Sequence, residues 1–120
     1  MMRVIFAIAL CLVALPAAAS GGDQVKPLVY GSNLKHLCDA DRKSSEYAKC
    51  WSFVAAVFEV LENSAPVYDF RACIPPPTNF QTAVDLTTKW LHDHPDEDIL
   101  AGSSVTAEAL ESALPGKPLN

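Results

Sequence analysis

Three consecutive prolines, Pro75-Pro76-Pro77, restrict the folding options of this chain more than any other feature. Proline fixes φ near about −65° and has no amide hydrogen, so neither a helix interior nor a central strand passes through such a run. The residues on either side must therefore form separate elements joined by a stiff, extended link. Both flanks read as helical. Between Glu46 and Glu62, Trp51, Val54, Phe58 and Leu61 fall on one stripe at helical spacing, and Phe53, Val57 and Val60 form a second stripe beside it. So wide an apolar arc predicts burial on more than one side. The second stripe serves either the core of a monomer or a self-association face. After the prolines, Thr78 is placed to cap a helix, with Gln81 completing a capping box. Phe80, Val84, Thr87 and Leu91 mark its buried stripe, Ala83 and Trp90 lie alongside, and His94-Pro95 ends it.

Two smaller helices complete the pattern. Ser32 or Asn33 can cap a short one carrying Leu34, Leu37 and Cys38, followed by a polar loop from Asp39 to Ser45. Pro66 stops the long helix. The acidic turn Asp96-Glu97-Asp98 leads to Gly102-Ser103-Ser104, where a serine can cap a last helix through Val105, Ala109, Leu110, Ala113 and Leu114, closed by Pro115-Gly116. No segment alternates with period two and none repeats. The predicted fold is all-α: a small four-helix, disulfide-stapled bundle whose first helix is short.

The N-terminus has a targeting pattern. Arg3 precedes an apolar run, Val4 to Leu15, and small residues at Ala17-Ala18-Ala19-Ser20 suit cleavage. Residues 1–19 therefore read as a signal peptide, since the run is short of the roughly 20 residues a membrane span needs. Cys11, in mid-run behind bulky Leu10, does not fit a lipidation site. Residues 20–30, with Gly21, Gly22 and Pro27, read as a flexible arm, 31–116 as the folded domain and 117–120 as a tail. About 100 residues suffice for one small domain. The formal charge of −5 becomes −6 once Arg3 is removed. That balance argues against nucleic acid and suits a basic protein partner.

Export would place Cys38, Cys50 and Cys73 in an oxidising compartment where disulfides persist. Three cysteines allow three single bridges. A Cys38–Cys50 bridge would staple the first helix to the second and is worth about 3 kcal/mol in the chain-entropy model. No CxxC or CxxxC pair supports zinc. His92-Asp93-His94 is no ligand triplet, because alternate helical residues point about 200° apart, and His36 has no partner nearby in sequence. Cys73 precedes prolines rather than opening a helix, and nothing in the sequence sets a histidine against it as a base. Ser103-Ser104 is better explained as a cap. Neither a phosphate loop nor an EF-hand is present. The expectation is no enzyme, no metal and no cofactor.

From Leu34 onward the residues take on a more specific look. Leu34-Lys35-His36-Leu37-Cys38, Tyr47-Ala48-Lys49-Cys50-Trp51, Cys73-Ile74-Pro75, Trp90-Leu91-His92-Asp93-His94-Pro95 and Ala109-Leu110-Glu111-Ser112-Ala113-Leu114-Pro115 follow in order. Their order and spacing resemble the Rap/Tai immunity proteins of bacteria over roughly Gly31 to Gly116. The most telling combination is Cys-Ile-Pro followed by a helix ending in Leu-x-x-His-Pro. The resemblance implies a small, exported, helical, non-enzymatic protein of the periplasm. It implies a homodimer that binds a secreted peptidoglycan amidase effector of type VI secretion and occupies its substrate cleft. Two places depart from the family pattern. Its second helix usually carries glycines and an aspartate where this chain has Ser52, Ala56 and Glu59, and Phe53 replaces a tyrosine. The family often ends in Pro-Cys, where Gly116 follows Pro115 here. If that missing cysteine is the usual partner of the Cys-Ile-Pro cysteine, Cys73 is left free.

A partner surface is expected from the junction Tyr68 to Thr78 together with the acidic turn: Tyr68 and Phe70 as aromatic anchors, Pro75 and Pro76 as a stiff support, Asp96 and Glu97 as steering charges. The alternatives are packing of the aromatics over the core and a merely solvated acidic loop. Two other function classes fit the same composition: a periplasmic acid-stress chaperone that opens on carboxylate protonation, and an envelope structural protein without a toxin partner.

Overall fold

The structure, a computed structural model, describes residues 26–114. The expected signal peptide (1–19), the first part of the arm, the Pro115-Gly116 stop and the tail (117–120) lie outside the described residues. The element order is α1 (Gly31–Cys38), α2 (Ser45–Glu62), α3 (Phe80–Asp93), a 3-10 helix (Pro95–Ile99) and α4 (Gly102–Ala113). Among the described residues there is no strand, only two isolated antiparallel bridges, Tyr30 with Ala101 and Val67 with Phe70. The all-α bundle with a short first helix is therefore the observed fold.

α2 is the centre of the bundle and packs on α1, α3 and α4. Its buried residues are Tyr47, Cys50, Val54, Ala55, Val57, Phe58 and Leu61. They meet Leu34 of α1, Ala83, Val84 and Leu91 of α3, and Val105, Ala107 and Leu110 of α4. Burial divides each of the two stripes on α2. In the first, Val54, Phe58 and Leu61 are covered and Trp51 is exposed; in the second, Val57 is buried, Phe53 is half-buried and Val60 is exposed at the edge of the arc. Two threonines lie in the core because each hydroxyl finds a carbonyl one turn back: Thr87 donates to Ala83 and Thr106 to Gly102, both at 2.8 Å.

The helix starts differ from the sequence-based expectation, for physical reasons. The Thr78 amide closes a turn on the Pro75 carbonyl at 2.9 Å, so Thr78 belongs to the proline turn. Asn79 caps α3 instead, its side chain accepting from the Thr82 amide at 2.9 Å. Gln81, freed from a capping box, donates to the Tyr47 hydroxyl at 2.8 Å and ties α3 to α2. α2 is capped by Ser44, which accepts from the Tyr47 amide at 3.1 Å. α4 has no side-chain cap; it follows Ala101, and the carbonyl of Val29 takes the Gly102 amide at 2.8 Å. Ser103 and Ser104 lie inside the helix.

That last bond also fixes the end of the expected arm. The Gly31 amide donates to Leu100 and the Gly102 amide to Val29, the two bonds that flank the Tyr30–Ala101 bridge. Gly31 is needed for this close crossing, and Gly102 fits it tightly. A Cβ on Gly31 would lie 2.7 Å from the Glu97 carbonyl oxygen, and one on Gly102 would press on Val29 at 3.2 Å. Residues 29–31 are thus held against the 3-10 helix and the start of α4.

Cys38 and Cys50 form the disulfide, joining the end of α1 to the first half of α2. Cys73 is free and exposed.

Candidate functional site

The segment from Val67 to Ile74 runs alongside α4. Val67 and Phe70 exchange backbone hydrogen bonds at 3.0 and 3.1 Å, leaving Tyr68-Asp69 as a two-residue tip. The Tyr68 hydroxyl is 3.5 Å from the Ser103 hydroxyl at the start of α4. The Arg71 amide donates to the Glu111 carboxylate, and the Cys73 amide to the Leu114 carbonyl at the far end. This path sorts the expected partner-binding residues. Tyr68 stands exposed near the N-terminal end of α4, where the 3-10 helix carrying Asp96 and Glu97 also ends. Pro75 and Pro76 are exposed at the C-terminal end, beyond Cys73, about 18 Å away along a 12-residue helix. Phe70 is half-buried and packs on the core.

Glu97 has an internal partner as well. The Trp90 indole donates to its carboxylate at 2.8 Å, and Trp90 stacks on His94, the ring centroids 3.7 Å apart. Asp96 remains exposed to solvent. Nearby on α4, Glu108 titrates above its ordinary range, first because burial disfavours its charged form and then because Glu97 repels it. A carboxyl raised in this way costs stability as pH rises: the penalty is absent below its unfolded value near 4.5, grows between that value and the higher folded one, and is constant above it. Glu108→Gln is therefore expected to raise the melting temperature at pH 7 and to leave it unchanged below pH 4.5. A thermal melt series across that window checks the sign.

The other groups considered for catalysis point elsewhere. His92 Nε2 lies 2.7 Å from Asp39 and links α3 to the end of α1. His94 Nδ1 is 3.0 Å from the Trp90 carbonyl. Asp93 pairs with Lys89, whose hydrogen bond holds the Asp93 carboxyl below its ordinary range. No Cys–His pair forms among the described residues, and no cluster of three or more His, Cys, Asp or Glu there could hold a metal ion. None of the described helices is long and apolar enough to cross a membrane. An open hollow of about 530 Å³ lies over Ala48, Lys49, Ser52 and Phe53 on the outer face of α2. It is a shallow surface depression rather than an enclosed ligand site.

What the fold offers is an interaction exterior on a disulfide-stapled helical bundle, the form of a small binding protein. The family profile of the Rap1a immunity proteins matches residues 30–116, from the bridge residue Tyr30 to just past α4. The chain belongs to the Rap1a immunity protein family, and membership implies a cognate effector protein as its partner. No curated protein and no solved structure matches the chain.

Sequence reasoning missed Leu28, Ile99 and Leu100, which are exposed near Tyr68 and Asp96. Only their isolation from any helical stripe hinted at exposure.

Proposed function

We propose that this chain is exported to the periplasm, where it binds a peptidoglycan amidase effector of type VI secretion and blocks its substrate cleft. Family membership over residues 30–116 carries the reading. The disulfide between Cys38 and Cys50 supports it, because such a bridge persists in an oxidising compartment, and so does the targeting pattern of residues 1–19. The protein acts by occlusion and performs no reaction itself. It works as a homodimer through the outer face of α2, where small Ala48, Ser52 and Ala56 allow a second helix to approach closely.

The test uses the mature protein and a panel of purified type VI peptidoglycan amidases, with release of soluble muropeptides as the readout. Hydrolysis by one amidase is expected to fall to background at equimolar protein. Undiminished hydrolysis by every amidase at molar excess would remove the amidase as the partner.

A further inference from the structure

Leu28, Tyr68, Ile99 and Leu100 are 99%, 61%, 78% and 41% exposed, and the backbone gathers them at one end of the bundle. Leu28 immediately precedes Val29, whose carbonyl holds Gly102; the Leu100 carbonyl holds Gly31, and Ile99 is its neighbour. The Tyr68 hydroxyl reaches Ser103, the next residue after Gly102. All four therefore surround the Tyr30–Ala101 bridge. Apolar side chains grouped on a rigid exterior mark an interaction surface, whereas scattered ones are ordinary.

Tyr68 adds a second observation. Its φ is 53°, in the left-handed region that favours glycine. A bulky residue held in that conformation at an exposed turn tip costs stability, and its ring gains little burial in return. Such strain is characteristic of residues retained for recognition.

The rim carries mostly negative charge, four carboxylates against two cations. Asp69 follows Tyr68, and Asp96, Glu97 and Asp98 lead into Ile99; Lys26 and Arg71 are the nearest cations in sequence. One Asp98 carboxylate oxygen is buried without a hydrogen-bond partner. An acidic rim repels anionic lipid headgroups. It also repels a second copy docked face to face, since a two-fold contact sets the same carboxylates against each other.

We propose that this end of the bundle, centred on Tyr68, Ile99, Leu100 and Leu28, is the docking surface for a protein that presents an apolar cleft ringed by lysine or arginine. The proposal rests on the reading above that the chain works by binding an effector, and it assigns the contact. Pro75 and Pro76, at the other end of α4, lie outside it.

The experiment has two arms. A photo-crosslinking residue replaces Leu28 or Ile99, or exposed Lys43 in the loop between α1 and α2 as a control. The mature protein is irradiated with the secreted fraction of a type VI-active culture, and the cross-linked protein is identified and purified. That purified protein is then titrated with wild type, Tyr68→Gly and Ile99→Asp at low and high salt. Positions 28 and 99 are expected to capture one basic protein that position 43 does not. Tyr68→Gly is expected to weaken binding at least about tenfold with an unchanged or higher melting temperature, because glycine relieves the backbone and removes only the ring. Affinity is expected to fall with salt.

Capture of a basic protein that is not a cell-wall hydrolase would keep this surface and overturn the amidase reading. Capture of a hydrolase through position 43 alone would do the reverse. A second copy of the chain at 28 or 99, no capture at either, wild-type affinity in Tyr68→Gly, or binding to anionic vesicles abolished by Ile99→Asp would each overturn the surface.

Discussion

Phe58→Ala is expected to destabilise the fold by about 3–5 kcal/mol, the usual range for deleting a buried aromatic ring. Phe58 is fully buried in α2, and its ring meets Phe80 edge-on at 5.1 Å. Phe80 in turn meets Trp51 edge-on at 5.3 Å. Phe80 is the first residue of α3, directly after the proline turn and the Asn79 cap. The ring of Phe58 therefore anchors the point where the stiff link re-enters the bundle. Small domains hold only about 5–15 kcal/mol in total, so the loss is a large share. Urea denaturation should show a midpoint lower by about 2 M or more. A double-mutant cycle with Phe80→Ala should give a coupling of about 0.5–1.5 kcal/mol from the aromatic pair. A loss well under about 1 kcal/mol would mean that the site collapses without this ring and that the packing of α2 on α3 is not as described.

The second large effect is on the disulfide. Replacing Cys38 and Cys50 together by alanine removes a bridge across a sequence separation of 12, worth about 3 kcal/mol. For a domain of this size each kcal/mol shifts the melting temperature by about 4–8 °C, so a fall of about 12–24 °C is expected. Reductant should destabilise the wild type similarly and leave the double variant unaffected. The bridge closes the polar loop between α1 and α2. His92 and Asp39 form a further link there, but that pair is exposed and contributes little. An unchanged melting temperature in reductant would show that the staple is dispensable.

Much of this architecture follows from local pattern. Val54, Phe58 and Leu61 on α2, and Val84, Thr87 and Leu91 on α3, repeat at helical spacing, and all six are buried. The proline run divided the chain where the helices divide. Errors arose where a distant segment supplies the missing group. Ser103 and Ser104 looked like caps because they are good capping residues, but the Val29 carbonyl, remote in sequence, already holds the first amide of α4. Thr78 closes the Pro75 turn one residue before α3 begins, and the Asn79 side chain takes the Thr82 amide as the cap. The Tyr30–Ala101 bridge joins single residues and leaves no alternating pattern to read. Trp51 shares a stripe with Val54, but its position at the edge of the arc depends on where α3 packs, which α2 alone does not specify.

The expected recognition residues divide for the same reason. Tyr68, Phe70, Pro75 and Pro76 are neighbours in sequence, yet the segment runs the length of α4, so Tyr68 and the prolines lie at opposite ends. Phe70 turns inward, and Glu97 receives the Trp90 indole. Tyr68's left-handed backbone, and its proximity to Ile99 and Leu28, depend on tertiary contacts that no local pattern encodes.

The central claim is that the exterior of this bundle protects a cell by holding a toxin. Its most direct measurement is survival of recipient cells facing type VI-active kin, with the gene deleted, restored, or restored as Tyr68→Gly. The account predicts lysis of the deletion strain, full rescue by the wild-type protein, and failure of rescue by the variant despite normal protein levels. Equal survival of deletion and wild-type recipients would contradict it.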